Sequence, residues 1–272
     1  MNKLDDLFER TRLYKGSESN RRFMPLIPIC IQVTGIDWKR VTKGLDKPFD
    51  TRMRDLMWIV TEAIVKETNA CIGYIQSNEI NLIYYNDDLK GQIFFDRKIM
   101  KMISVISSVT TATFNRYLPE VIPEKAHRVA VFSCKAWGVP TLEEAANIIL
   151  WEETVAIEKS ISIAARQYYS HKQLLGKNEE DRLAMLLEKD MDWKNDYPVS
   201  FQRGTFFQRR KVSKKFNKEE ITDLPPKHIA RKDPDLKFER TEVRRLDMPP
   251  FSEVINRVGV IFNGEDPIVD TK

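Results

Sequence analysis

Two places in the chain put short polar side chains at the ends of apolar runs, where a stiff sheet could aim them at a phosphate. One is Thr34-Gly35, which closes the run Leu26 to Val33; the other is Ser77-Asn78-Glu79, between the runs Ala70 to Ile75 and Ile80 to Tyr85. Such places suit phosphoryl transfer, in which paired divalent cations clamp the attacking and leaving oxygens and are themselves held by carboxylates on a rigid platform. Only one acid, Glu79, stands there. Strand ends and hairpin turns also favour Ser, Asn and Gly for backbone reasons alone, so the pattern has a plain structural reading as well. Asp37, two residues beyond Gly35, is a candidate displaced ligand, with helix capping or an exposed ion pair as the simpler account.

The elements that must position these residues follow from hydrophobic spacing. The nearly continuous run Leu26 to Val33 predicts a buried central strand, with Pro25 and Pro28 limiting the paired part to Ile29 to Val33. Met53, Leu56, Met57, Val60, Ala63 and Ile64 recur at helical spacing over Thr51 to Glu67. The runs on either side of Gln76-Ser77-Asn78-Glu79 predict a hairpin. A long helix over Lys98 to Leu118 and a fourth strand over Arg128 to Cys134 complete the order strand, helix, strand, strand, helix, strand. That order predicts an α+β fold, a ferredoxin-like (split βαβ) palm with additional helices and a C-terminal extension. In such a sheet the first strand and the hairpin lie side by side, bringing Thr34-Gly35 near Asn78-Glu79.

The chain resembles the tRNA-histidine guanylyltransferase family, the reverse polymerases, and particularly its bacterial and phage-type members. The likeness runs nearly end to end: Leu4-Asp5-Asp6-Leu7-Phe8-Glu9, Pro25 through Ile31, Thr42-Lys43-Gly44-Leu45 with Lys47-Pro48, and Gly73-Tyr74-Ile75-Gln76-Ser77. It continues with Pro140 and Leu142-Glu143-Glu144-Ala145-Ala146-Asn147, Arg203-Gly204-Thr205, and Asp247-Met248-Pro249-Pro250-Phe251. The resemblance implies a polymerase-type palm, GTP and Mg2+ as cofactors, tRNA as partner, and homo- or hetero-oligomers with family members.

Departures from the family pattern concentrate at the metal and nucleotide positions. The family's first strand ends in Asp-Gly, with the Asp side chain and the Gly carbonyl on magnesium, and its hairpin reads Ser-Asp-Glu; here Thr34-Gly35 and Ser77-Asn78-Glu79 stand instead. Ser133 and Lys135 replace an Asp and an Arg, while Glu152 replaces an Arg and Lys159 an Asn. Glu79 is thus the catalytic remnant, and Gly35 and Glu79 are the metal-ligand positions that survive, with Thr34 and Asn78 at substituted ones. The resemblance assigns Gly35, Lys47, Gln76 and Ser77 to nucleotide binding. Replacing two anionic ligands by neutral Thr34 and Asn78 removes most of the attraction for magnesium, which takes hard oxygen ligands.

Composition limits the partners only loosely. Lys plus Arg number 44 against 40 for Asp plus Glu, a net charge of +4, which by itself does not predict RNA binding. The distribution is more telling: Arg203, Arg209, Arg210, Lys211, Lys214 and Lys215 crowd one stretch with Phe206, Phe207 and Phe216 among them. Basic side chains beside aromatics can neutralise phosphates and stack bases, although a charge run is commonly just a solvated face. His127, His171 and His228 lack metal-ligand spacing, and Cys30, Cys71 and Cys134 fall in apolar strands as small hydrophobes. Without a membrane-length apolar segment or an N-terminal signal, a cytoplasmic protein with no membrane partner is expected.

The palm and its helices are expected over 1–200, including a helix from Leu142 to Leu175, and a basic C-terminal extension over 201–272. Asp223-Leu224-Pro225-Pro226 and Asp233-Pro234-Asp235 predict turns there, and Lys237 to Leu246 an edge strand. Two functional readings stand at this point. One is a family member that binds tRNA, nucleotide or an active relative without efficient catalysis, a pseudoenzyme; the other is an active enzyme adding GMP or another nucleotide to the 5′ end of tRNA.

Overall fold

Residues 3–226, 228–233 and 236–270 are described in the computed structural model. The chain runs through α1 (Lys3–Ser19), β1 (Ile29–Ile36), α2 (Trp38–Thr42), α3 (Thr51–Thr68), β2 (Ile72–Gln76), β3 (Glu79–Tyr84), α4 (Ile99–Val121), β4 (Val131–Gly138) and α5 (Leu142–Ala165). Four short helices follow, α6 (His171–Leu174), α7 (Glu179–Leu187), α8 (Trp193–Asp196) and α9 (Val199–Arg203). Then come β5 (Thr205–Lys215), α10 (Lys218–Asp223), β6 (Lys237–Leu246) and a π-helical turn at Gly259–Asn263. The strands make one six-stranded sheet in the order β4-β1-β3-β2-β5-β6. Its first four strands have the split βαβ order, so the expected α+β ferredoxin-like palm is the fold.

Each face of the sheet is closed by a different set of residues. Ile29, Ile31 and Val33 of β1 and Ile80, Leu82 and Tyr84 of β3 turn toward α3 and α4. There they meet a stripe at every fourth residue of α4, Met102, Ile106, Thr110, Phe114 and Leu118, all buried. Trp38 packs edge-on against Phe114 and Phe132, with ring centroids 5.7 and 6.0 Å away. The opposite face places Cys30, Ile72, Tyr74 and Phe206 against Ala145, Ala146 and Ile149 of α5 and Met248 and Phe251 of the C-terminal segment. Helix α3 starts where the Asp50 side chain accepts from the Arg52 and Met53 amides, and ends at Asn69, whose φ of 56° breaks the helical run.

Several boundaries differ from the sequence expectation. β1 continues past Val33 through Ile36, because Gly35 and Ile36 remain paired to Phe132 and Val131 of β4. β4 begins at Val131 and not at Arg128: the Asn115 side chain of α4 brackets the Ala130 backbone, accepting from its N–H at 2.9 Å and donating to its C=O at 2.8 Å. The hairpin turn is tighter than four residues, since Gln76 pairs with Glu79 and Ser77 takes a φ of 55°. The long helix stops at Ala165, and Ser170 starts a new one with a Ser170/Gln173 capping box. The expected edge strand Lys237 to Leu246 is β6, at one end of the sheet. Pro234 and Asp235 of the expected second turn lie outside the described residues.

β5 joins the sheet by pairing Thr205 to Gln208 with β2, and then runs on beyond β2 paired with β6 alone. The segment after β6 is tied to α5 by Glu153, only 2% exposed. Its carboxylate accepts from Arg203 Nη1 at 3.0 Å and from the Phe251 amide at 2.7 Å. Arg203 also donates to the Met248 and Pro249 carbonyls. Burial pushes the Glu153 carboxyl above its ordinary range, while the Phe251 amide and Arg203 pull it back. Because removing one partner leaves the other charge buried and uncompensated, Glu153→Ala is expected to destabilise the fold by about 3–5 kcal/mol in urea unfolding, and Glu153→Gln by less.

Candidate functional site

Register, not sequence proximity, assembles the polar face under α5. On β1, Thr34 lies directly opposite Glu79 of β3 on one side and Ser133 of β4 on the other. One step along the same face, Gln32 lies between Asn81 and Lys135. The hairpin turn closes over the end of β1: the Gly35 N–H donates to the Asn78 carbonyl at 3.0 Å, and Asn78 Nδ2 donates back to the Gly35 carbonyl at 3.1 Å. Gly35 makes room for Trp38, since a Cβ there would sit 2.6 Å from its ring.

Helix α5 contributes the charges. Lys159 Nζ sits 3.0 Å from Glu79 Oε2, with 50% and 27% of the two side chains exposed. About two helical turns before it, Glu152 accepts from Gln32 Nε2 at 3.0 Å. Burial is the main reason that the Glu152 carboxyl is held above its ordinary value; the Glu79 charge adds to it, and Lys159 and Lys135 oppose it. Burial likewise pushes the Cys30 and Cys134 thiols up to about 12 and the Cys71 thiol to about 11, and all three cysteines are free. They are packing groups and not nucleophiles.

Beside the hairpin lies a cavity of about 230 Å³ walled by Trp38, Phe49, Trp58 and Phe201, with Gln76, Ser77 and Ile163 at its edge. Gln76 is buried and Ser77 exposed. Lys47 is exposed on the loop whose neighbours Asp46 and Pro48 line the same cavity. Of the residues expected to bind nucleotide, Gln76 and Ser77 line this cavity and Lys47 does not; the aromatic walls come from four separate segments and carry no joint spacing signal. Asp37 takes a left-handed φ of 49° before α2 and makes no side-chain cap.

The six basic residues of the C-terminal stretch divide by environment. Arg203 is committed to Glu153 and the C-terminal segment, and Arg210 to the Gly264 and Glu265 carbonyls and Asp266. Arg209 donates to the Asn69 side chain. Lys214 pairs across the ribbon with Glu242. Lys211 and Lys215 are exposed.

A split βαβ sheet with two helices on one face and a polar row on the other is the platform of a nucleotidyl-transfer palm, and comparison with known proteins agrees. The family model for tRNAHis guanylyltransferase (Thg1) matches residues 9–140. A bacterial tRNA(His) guanylyltransferase (Thg1)-like protein in complex with ATP is 31% identical, with 74% of this chain and 88% of that chain covered and a TM-score of 0.69. A bacterial Thg1-like protein in complex with GTP is 24% identical over 91% and 94% of the two chains, with a TM-score of 0.68. The Saccharomyces cerevisiae enzyme shares the fold at 17% identity and a TM-score of 0.64, over 71% and 90%. An uncharacterised protein of Acanthamoeba polyphaga mimivirus is 30% identical over 95 residues, which is 32% of this chain and 32% of that protein, so the chain spans about a third of that relative's length. The chain belongs to the tRNA-histidine guanylyltransferase family. Among the described residues no helix is long and apolar enough to cross a membrane.

The donor set here does not fit the divalent cations the family implies. Of the two ligand positions that the resemblance assigns, the Gly35 carbonyl accepts an N–H from Asn78 and Glu79 faces the Lys159 ammonium. Thr34 and Ser133 offer neutral hydroxyls, and among the described residues no three or more His, Cys, Asp or Glu side chains gather as a metal ion would need. A cation seated here would meet an amide nitrogen and an ammonium where it requires anionic oxygen.

Glu152 offers a pH test of this electrostatic arrangement. The folded chain keeps the Glu152 proton to higher pH than the unfolded chain, so its contribution to stability falls as pH rises from the ordinary 4.5 toward the raised folded value. Glu152→Gln keeps an acceptor for Gln32 and removes the charge. The variant is expected to be the more stable at neutral pH, with its advantage shrinking as the pH is lowered through that window, as read by chemical denaturation at a series of pH values.

Proposed function

We propose that this protein binds tRNA and a nucleotide as a non-catalytic member of its family, with a degenerate two-metal site. The observation that carries this reading is that both surviving ligand oxygens of the metal row already have N–H partners, from Asn78 and Lys159. Two-metal transfer needs cations bridging the attacking and leaving oxygens, and a row with one carboxylate balanced by an ammonium gives them no seat. The aromatic cavity beside Ser77 suits a nucleobase, which supports retention of nucleotide binding. A relative bound to ATP and another to GTP fit the same reading. The protein acts in this view as a holder of tRNA or as a subunit beside an active relative.

Incubation with tRNA, labelled GTP and magnesium or manganese, beside an active relative as control, is expected to give no extension at the 5′ end. Extension by the unmodified chain would establish the alternative, an active nucleotidyltransferase. Thr34→Asp, Asn78→Asp and Lys159→Asn combined are expected to create manganese binding that the unmodified chain lacks, measured by calorimetry.

For the RNA, the β5–β6 ribbon supplies a basic surface beyond the sheet. Lys211 and Lys237 lie on one face by strand alternation. Reversing both to Glu is expected to weaken tRNA binding about tenfold at ~100 mM salt and to reduce the steepness of its salt dependence; unchanged affinity would remove the ribbon from the interface.

A further inference from the structure

We propose that the Lys159 ammonium takes the place of the divalent cation, so that a nucleoside triphosphate is held at this site without metal. The inference rests on the nucleotide-binding reading above and concerns how the charge of the phosphates is met. In a magnesium-dependent site the carboxylates repel the phosphates and the metal ions bridge the two. Here the one carboxylate left in the row, Glu79, carries a covalently tethered cation at 3.0 Å.

Position favours the exchange. Ile163, four residues after Lys159 on α5, stands at the edge of the aromatic cavity, and residues at that spacing lie one above the other on a helix. Ser77 stands at the same edge, two residues before Glu79. A base between the aromatic walls therefore has its phosphates within the region bounded by the hairpin and Lys159. Lys135, on the adjacent row, is a second ammonium on this face.

Lability favours it too. A half-exposed ion pair contributes little to folding, so the fold does not depend on the contact and Lys159 can swing from Glu79 to an incoming phosphate. A triphosphate offers several anionic oxygens to a flexible point charge with three donors, which is the mode in which lysine binds phosphate. Divalent metal has the opposite relation to the site: to bind Glu79 it must first displace Lys159. Magnesium is thus a competitor here and not a bridge.

The test is equilibrium binding of fluorescently labelled GTP and ATP to the full chain in EDTA, magnesium and manganese, with unlabelled inorganic triphosphate as competitor. Affinity in EDTA is expected to lie within about threefold of that in magnesium, and Lys159→Asn to lose about tenfold in EDTA, the scale of one charge-assisted hydrogen bond. Lys159→Arg should retain binding. The denaturation midpoint of Lys159→Asn should stay at the unmodified value, which separates lost binding from lost folding. Binding that appears only with magnesium or manganese would overturn the inference and leave nucleotide recognition standing, as would Lys159→Asn binding like the unmodified chain in EDTA. Absence of binding under every condition would remove the nucleotide-binding reading itself.

Discussion

The antiparallel register of β1 against both β3 and β4 is the constraint from which the site follows. It sets Thr34 between Glu79 and Ser133, and Gln32 between Asn81 and Lys135, on the face away from α3 and α4. A slip of one residue would turn Ile31 and Val33 out of the core and Thr34 into it, so the buried side of the strand fixes what the other side displays. The core face thereby fixes the geometry of the polar face whatever residues stand there.

The charges of the polar face answer one another. Glu79 and half-buried Glu152 repel each other, and Lys159 and Lys135 oppose that repulsion. In the hairpin, the Asn78 amide reaches the Gly35 carbonyl. The result is a site with its own hydrogen-bond partners, in contrast to one whose anions await cations.

Much of the palm was legible because it rests on local patterns. The apolar run of β1 and the helical spacing of α3 each report a buried face directly, whereas β6, expected as an edge strand, has no buried residue. Boundaries were misread where tertiary contacts decide them. β4 starts late because Asn115 of α4 occupies the Ala130 backbone, and β1 ends late because β4 pairs on through Gly35 and Ile36. The break before α6 did carry a local signal, Ser170 with Gln173 three residues on, which marks a new helix start within an apolar-periodic stretch. At the site, Glu79, Asn78 and Gly35 could be named from one hairpin and one strand end. Their partner Lys159 lies 80 residues from Glu79, and no spacing rule connects residues so far apart.

The basic C-terminal stretch shows how the same physics sorts charges that look equivalent in sequence. Strand alternation sends Arg210 to one side of the ribbon and Lys211 to the other. Arg210 meets the chain returning after the π-helical turn and donates to its carbonyls, while Gln208, buried beside it, donates to Val260 and Ile261. Arg203 does the same for Met248 and Pro249 through a buried ion pair. These arginines satisfy backbone acceptors that a folded-back segment would otherwise bury unpaired, a role that suits a planar, multi-donor cation better than an ammonium. Lys211 of the same run is exposed on the other side of the ribbon, which is where a charge can meet the phosphates of another molecule.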